Sequence, residues 1–172
     1  AMSIMDVDAK YQIPSLFNYG AGQALDEKWE TDPEKYSYYI GKMYPTTDFI
    51  AMEYRDLFDA AFASGQLTGE KTIAVYGEDT DWGHSLGDNL VRYFSEAGYE
   101  VVYNEYFAAG TTDMYAILAK IQSSGANIVA GTINTPASAA AFLKQAREVG
   151  LESQIVCHSL NENADWYELC GD

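Results

Sequence analysis

The chain is 172 residues long, 48% hydrophobic and 14% aromatic, with 26 acidic against 10 basic side chains and a formal charge of -16. That length supports one compact domain with at most an appendage, burying roughly 70% of the unfolded chain's surface, and excludes two full-sized lobes. The apolar content excludes a disordered polyanion, and ten basic residues at a pI of about 4.2 are too few to bind nucleic acid or an anionic membrane surface.

No run of about 18 apolar residues exists, so no segment reads as a membrane-spanning helix. The start, Ala1-Met2-Ser3-Ile4-Met5-Asp6, lacks the basic and apolar regions of a signal peptide, so an exported form would already have lost its signal. Met2 to Lys10 reads as the tail of a helix and Ile13-Pro14-Ser15-Leu16-Phe17 as an extended strand. Asn18-Tyr19-Gly20-Ala21-Gly22 is a loop by composition, and residues 26 to 37 are polar and turn-rich. Tyr38-Tyr39-Ile40 predicts a short strand. Asp48 to Ala63 predicts a helix with Phe49, Met52, Leu57 and Ala60 or Ala61 inward.

From residue 71 the chain becomes periodic. Four β-branched runs predict strands: Thr72 to Tyr76, Glu100 to Tyr103, Asn127 to Ala130 and Gln154 to Cys157. Between them lie helical patterns over Leu86 to Ala97, Tyr115 to Ser124 and Pro136 to Val149, with Pro136 suited to a first turn. Each helix stops at a glycine (Gly98, Gly125 and Gly150), and Thr111-Thr112-Asp113 offers N-cap oxygens to the second. Strand, helix, glycine, strand, repeated three times, predicts an α/β fold with an open, doubly wound parallel sheet.

Ligands of such sheets bind beyond the carboxyl ends of the strands. Four loops leave those ends here: Gly77 to Gly83, Phe107 to Thr111, Thr132 to Pro136 and His158 to Asn161. Trp82 either offers a flat apolar face to a small ligand or folds back onto the sheet. Asn134, Thr135 and Ser159 are hydrogen-bonding groups in neighbouring loops, or simply helix caps.

Other chemistry is poorly supported. Glu78, Asp79 and Asp81 could ligate a hard cation, but EF-hand spacing is missing and a helix N-terminus favours acids in any case. No phosphate-binding glycine loop follows a strand. Cys157 and His158 are adjacent on a strand and so point to opposite faces, and His84-Ser85 does not form a nucleophile elbow. No catalytic set is found, and neither a metal nor a cofactor is expected. Cys157 and Cys170 are weak evidence for an oxidising compartment, and a helix between them would hold their Cα atoms beyond the roughly 7 Å a disulfide tolerates.

Lys71-Thr72-Ile73-Ala74-Val75-Tyr76 through Asp81-Trp82-Gly83 resembles the first strand and loop of the second lobe in type I periplasmic solute-binding proteins. Their members include the leucine/isoleucine/valine-binding proteins of ABC importers. Phe107 to Asp113 resembles the family's entry to its next helix, and Phe142 to Leu151 is the clearest match. The resemblance implies that residues 1–37 are a remnant of a first lobe, 38–45 a hinge crossover and 46–172 the second α/β lobe. The chain would then be a fragment whose exposed inter-lobe face favours self-association.

By the same resemblance Trp82 stands where an aromatic covers the ligand, and Asn134 and Thr135 lie in a loop that holds it. Tyr19, Gly20 and Ala21 lie where the first lobe offers amides and small hydroxylated residues to a carboxylate. His158 and Ser159 stand where amino-acid binders place an acid for the α-ammonium, and Ala21 lacks the usual hydroxyl. Those departures put an amide, a urea-like solute or an aromatic acid beside an amino acid as ligand. The implied function is a non-enzymatic receptor, periplasmic or extracellular, free or lipid-anchored, that delivers a small polar molecule to a membrane ABC permease. The alternatives are a ligand-sensing lobe of a receptor or amide-type regulator of the same fold, and a flavodoxin-like α/β enzyme.

Overall fold

The computed structural model describes residues 2–18, 23–158 and 166–170. Along the chain run α1 (Met2–Tyr11), β1 (Ser15–Phe17), α2 (Ala24–Thr31), β2 (Tyr39–Lys42) and α3 (Thr47–Ser64). The alternating part follows: β3 (Thr72–Glu78), α4 (Asp81–Glu96), β4 (Glu100–Phe107), α5 (Tyr115–Ser124), β5 (Ile128–Thr132), α6 (Pro136–Glu148), β6 (Gln154–His158) and α7 (Trp166–Cys170). Among the described residues no helix is long and apolar enough to cross a membrane.

Two parallel sheets result. β1 pairs with β2, and the larger sheet has the order β4-β3-β5-β6. The central strands β3 and β5 are buried almost throughout, as expected where helices cover both faces. Side-chain alternation divides the core accordingly. Ile73, Val75, Ile128 and Ala130 face α3 and α4, through Ile50, Phe58, Leu86, Leu90 and Phe94. Ala74, Tyr76 and Val129 face α5 and α6, through Leu118, Ile121, Phe142 and Ala146. On that second face Tyr76 and Phe142 stack with ring centroids 4.5 Å apart.

The three periodic helices and four strands fall where the sequence predicts them, and the left-handed glycines 98, 125 and 150 close the helices, with φ of 82°, 70° and 68°. Four expectations need correction. Residues 26 to 37, read as turns, contain most of α2. That helix forms because Leu25 is buried against Met5 and Tyr36 and because Lys28 Nζ donates to Met2 O and Asp6 Oδ2, contacts from α1. In α3 the inward face is Ile50, Ala51 and Phe58, while Phe49 and Leu57 are 45% and 57% exposed. The acids explain this: Glu53 and Asp56 lie one and two turns beyond Phe49 on its stripe, so that stripe belongs to water.

The other two concern loops. Of Thr111 to Asp113 only Asp113 reaches the start of α5, its Oδ1 accepting from Tyr115 N at 3.4 Å; Gln145 of α6 holds the preceding residues, accepting from Met114 N at 2.6 Å and donating to Thr112 O at 2.8 Å. The segment Gly77 to Gly83 is mostly not loop, since β3 runs through Glu78 and α4 begins at Asp81. Helix α3 is joined to α4 by a buried polar knot, in which Asn89 Nδ2 donates to Thr47 Oγ1 (3.1 Å) and Ser85 O (2.9 Å) and Thr47 shares a 2.8 Å bond with Ser85.

The small sheet is poorly covered. Leu16 and Ile40 are 55% and 67% exposed, and Ile4, Val7 and Tyr11 of α1 are exposed as well. By contrast Phe142 is fully buried. Replacing it with Ala should cost about 3–5 kcal/mol of stability in urea titrations, and a loss below about 1 kcal/mol would show that the stacked pair does not hold the α6 face.

Candidate functional site

Helices α4 and α6 leave the neighbouring strands β3 and β5 for opposite faces of the sheet. In an open α/β sheet such divergence makes a crevice at the carboxyl ends of the two strands, the usual ligand position. Residues from β3–α4, β5–α6, β6 and the segment after β2 meet there.

Trp82 sits in the first turn of α4. Thr80 caps the helix, its side chain accepting from Gly83 N at 3.0 Å. The helix start is pressed onto the strand: a Cβ on Gly83 would stand 2.0 Å from the Glu78 carbonyl oxygen. That close approach requires glycine and sets where Trp82 projects. The indole is half-buried and its Nε1 donates to Thr132 Oγ1 at 3.3 Å. Of the two sequence readings, the structure shows the ring packing back against the sheet.

Tyr44 and His158 complete an aromatic group. Tyr44 Oη and His158 Nε2 are hydrogen-bonded at 3.0 Å. The Tyr44 ring lies 5.9 Å from that of Trp82 and 5.8 Å from that of His158, and Trp82 and His158 are 5.6 Å apart. These are edge-to-face and tilted contacts, the favourable arrangement for aromatic pairs. Tyr44 was not among the sequence candidates. Nothing in a Met-Tyr-Pro turn indicates a partner 114 residues away.

Asn134 and Thr135 lead into α6, with Thr135 in the cap position. Thr132 Oγ1 donates to Asn134 Oδ1 at 3.4 Å, so the indole, the threonine and the amide form a short polar row across the crevice. The backbone amides of Asn134 and Thr135 donate instead to Glu78 Oε2 (3.0 Å) and Oε1 (3.2 Å). Glu78 is 2% exposed, so the carboxylate that the sequence offers to a cation is turned inward. Asp79 meets His84 Nε2 at 2.7 Å, and among the described residues no group of three or more His, Cys, Asp or Glu is placed to hold a metal.

Cys157 and His158 do face apart. Cys157 packs against the α5–α6 side, where burial pushes its thiol up to about 12, with the Glu78 charge adding to the effect. A thiol so protonated is a poor nucleophile. Cys157 and Cys170 are both free. Of the remaining candidates Tyr19, Gly20, Ala21 and Ser159 lie outside the described residues.

The sequence matches a family model described as periplasmic binding protein over residues 1–166. A Leu/Ile/Val-binding protein homologue of Brucella abortus is 28% identical over 106 residues, which are 59% of this chain and 26% of that protein. Two crystal structures share the fold. One, from Silicibacter pomeroyi and named for branched-chain amino acid ABC transport, has a TM-score of 0.86 at 18% identity and covers 100% of this chain and 43% of its own. The other is an R. palustris ABC transporter solute-binding protein in complex with 4-hydroxybenzoate, with a TM-score of 0.78 at 17% identity, covering 99% and 43%. The chain thus spans less than half the length of these proteins.

Gly83→Ala should cost about 1–3 kcal/mol and move the Trp82 indole N–H resonance, because the helix start must lift off Glu78. An unchanged resonance and unchanged urea midpoint would show that the contact is not tight.

Proposed function

The chain belongs to the periplasmic binding protein family, and from that premise we propose that it is the ligand-closing second lobe, with hinge and part of the first, of a receptor serving an ABC importer. The carrying observation is the crevice at the ends of β3, β5 and β6, where Trp82, Tyr44, His158, Thr132 and Asn134 already contact one another. Flat rings beside a row of hydroxyl and amide groups suit a small ligand with an apolar body and a polar rim.

In this proposal residues 1–37 belong to the first lobe, 38–45 are the hinge crossover and 46–172 the second lobe. Supporting it, the β1–β2 sheet and the four-stranded sheet are separate and are joined through residues 43–46. The exposed apolar side of α1, β1 and β2 suits a first lobe continued by further chain. Tyr19, Gly20 and Ala21 would meet the ligand from that lobe, and Thr135, His158 and Ser159 from the second. Binding energy would drive closure about the hinge rather than bond making, in a receptor outside the cytoplasm.

Two ligand classes are worth testing first: branched-chain amino acids, after the Brucella relative's name, and aromatic acids, after the R. palustris complex. The three-ring group favours the aromatic acids. In thermal melts of the full-length protein, leucine, 4-hydroxybenzoate or a simple amide should raise the midpoint. A ligand at 100 times its Kd adds about 2.7 kcal/mol, and Trp82→Ala should abolish the effect. No stabilisation by any of these three probes would contradict the receptor reading. The 172-residue chain alone should self-associate through its uncovered apolar faces; a monodisperse monomer in light scattering at high concentration would contradict the lobe assignment.

A further inference from the structure

Glu78 is the last residue of β3 and is 2% exposed. Glutamates are almost never this buried unless paired, and its partners among the described residues are not cations but two backbone amides, Asn134 N and Thr135 N. Both belong to the start of α6, where Thr135, the residue in the cap position, makes no side-chain cap bond of its own. An acid at a helix start is favoured by the dipole. The Thr135 hydroxyl could cap the helix locally, without drawing a charge out of water, but it does not do so. Reaching across from β3 does something a local cap cannot, because it ties the two crevice loops together.

The junction is double. The carbonyl oxygen of Glu78 lies under Gly83, next to Trp82, while its carboxylate lies under Asn134 and Thr135. A second link runs in parallel, from Trp82 Nε1 through Thr132 Oγ1 to Asn134 Oδ1. Glu78 thus helps to set the separation of the indole and the Asn134 amide, together with the Thr132 link.

We propose that Glu78 is the positioning residue of the ligand site, acting through Asn134 and Thr135 to hold the β5–α6 loop at a fixed distance from Trp82. The proposal rests on the receptor reading for its functional consequence. It has a chemical corollary. The Asn134 and Thr135 amides are engaged inside the fold, so the ligand meets this loop through side chains, and the Glu78 charge is not offered to a ligand cation.

Glu78→Gln and Glu78→Ala in the full-length protein test it by residue-resolved amide hydrogen exchange. Glutamine keeps one acceptor oxygen and replaces the other with a donor, and alanine removes both. Exchange at Asn134 and Thr135 should accelerate at least about tenfold in the Gln variant and further in the Ala variant, with the Trp82 indole resonance shifting in step. The amides of Val75 and Val129, in the central strands, should keep wild-type rates. Unchanged rates at the two loop amides would overturn the proposal. So would equal acceleration throughout the sheet, which would make Glu78 a stabiliser of the fold alone. Titrations with leucine and 4-hydroxybenzoate separate the two readings. If either binds the wild type, its affinity should fall at least about tenfold in the Gln variant, and an unchanged affinity would refute the positioning role. If neither binds, the receptor reading loses support while the exchange rates still decide the role of Glu78.

Discussion

When two adjacent parallel strands, β3 and β5, are followed by right-handed crossovers in opposite directions, the connections that leave them must part at the strands' carboxyl ends. The sheet order β4-β3-β5-β6 imposes that parting, since the chain leaves β3 for one edge and β5 for the other. Helix α4 then lies on one face and α6 on the opposite one, each with its own apolar cluster. The crevice is a consequence of topology. What the sequence adds is the set of groups that line it and the contacts that keep it from collapsing.

Those contacts are unusual in being mostly polar and long-range. Trp82 is held by Thr132, Tyr44 by His158, and the start of α6 by a buried carboxylate from β3. Each joins segments far apart in the chain, so none can form before the sheet does. If the proposed site is assembled this way, it would be set by the fold before any ligand arrives, which would limit the ordering cost of binding. The Thr47–Ser85–Asn89 knot extends the same principle toward the segment after β2, fixing the start of α3 against α4.

Much of the fold was legible because its signals are local. Glycines 98, 125 and 150 and the β-branched runs report on their own neighbourhoods, and they located three helices and four strands of the alternating part. What escaped depends on distance. Helix α2 is polar and owes its stability to Met5, Asp6 and Tyr36. The inward face of α3 could have been found from Glu53 and Asp56, whose positions mark the wet side. Trp82, Asn134 and His158 were read from their places at strand ends, and the structure brings them to one crevice with Thr132 between. Tyr44 and the role of Glu78 had no local signal, since their partners lie 114 and 56 residues away.

The net charge of -16 is not explained by the site, where Glu78 is turned inward and Asp79 is paired with His84. It belongs to the surface, where it supports solubility. The most direct test of the central claim is a crystal structure of the full-length protein with a bound small molecule. The account predicts ligand density between the Trp82 ring and Asn134, beyond the carboxyl ends of β3 and β5. Density at the amino ends of the strands, or along the outer edge of β4, would contradict it.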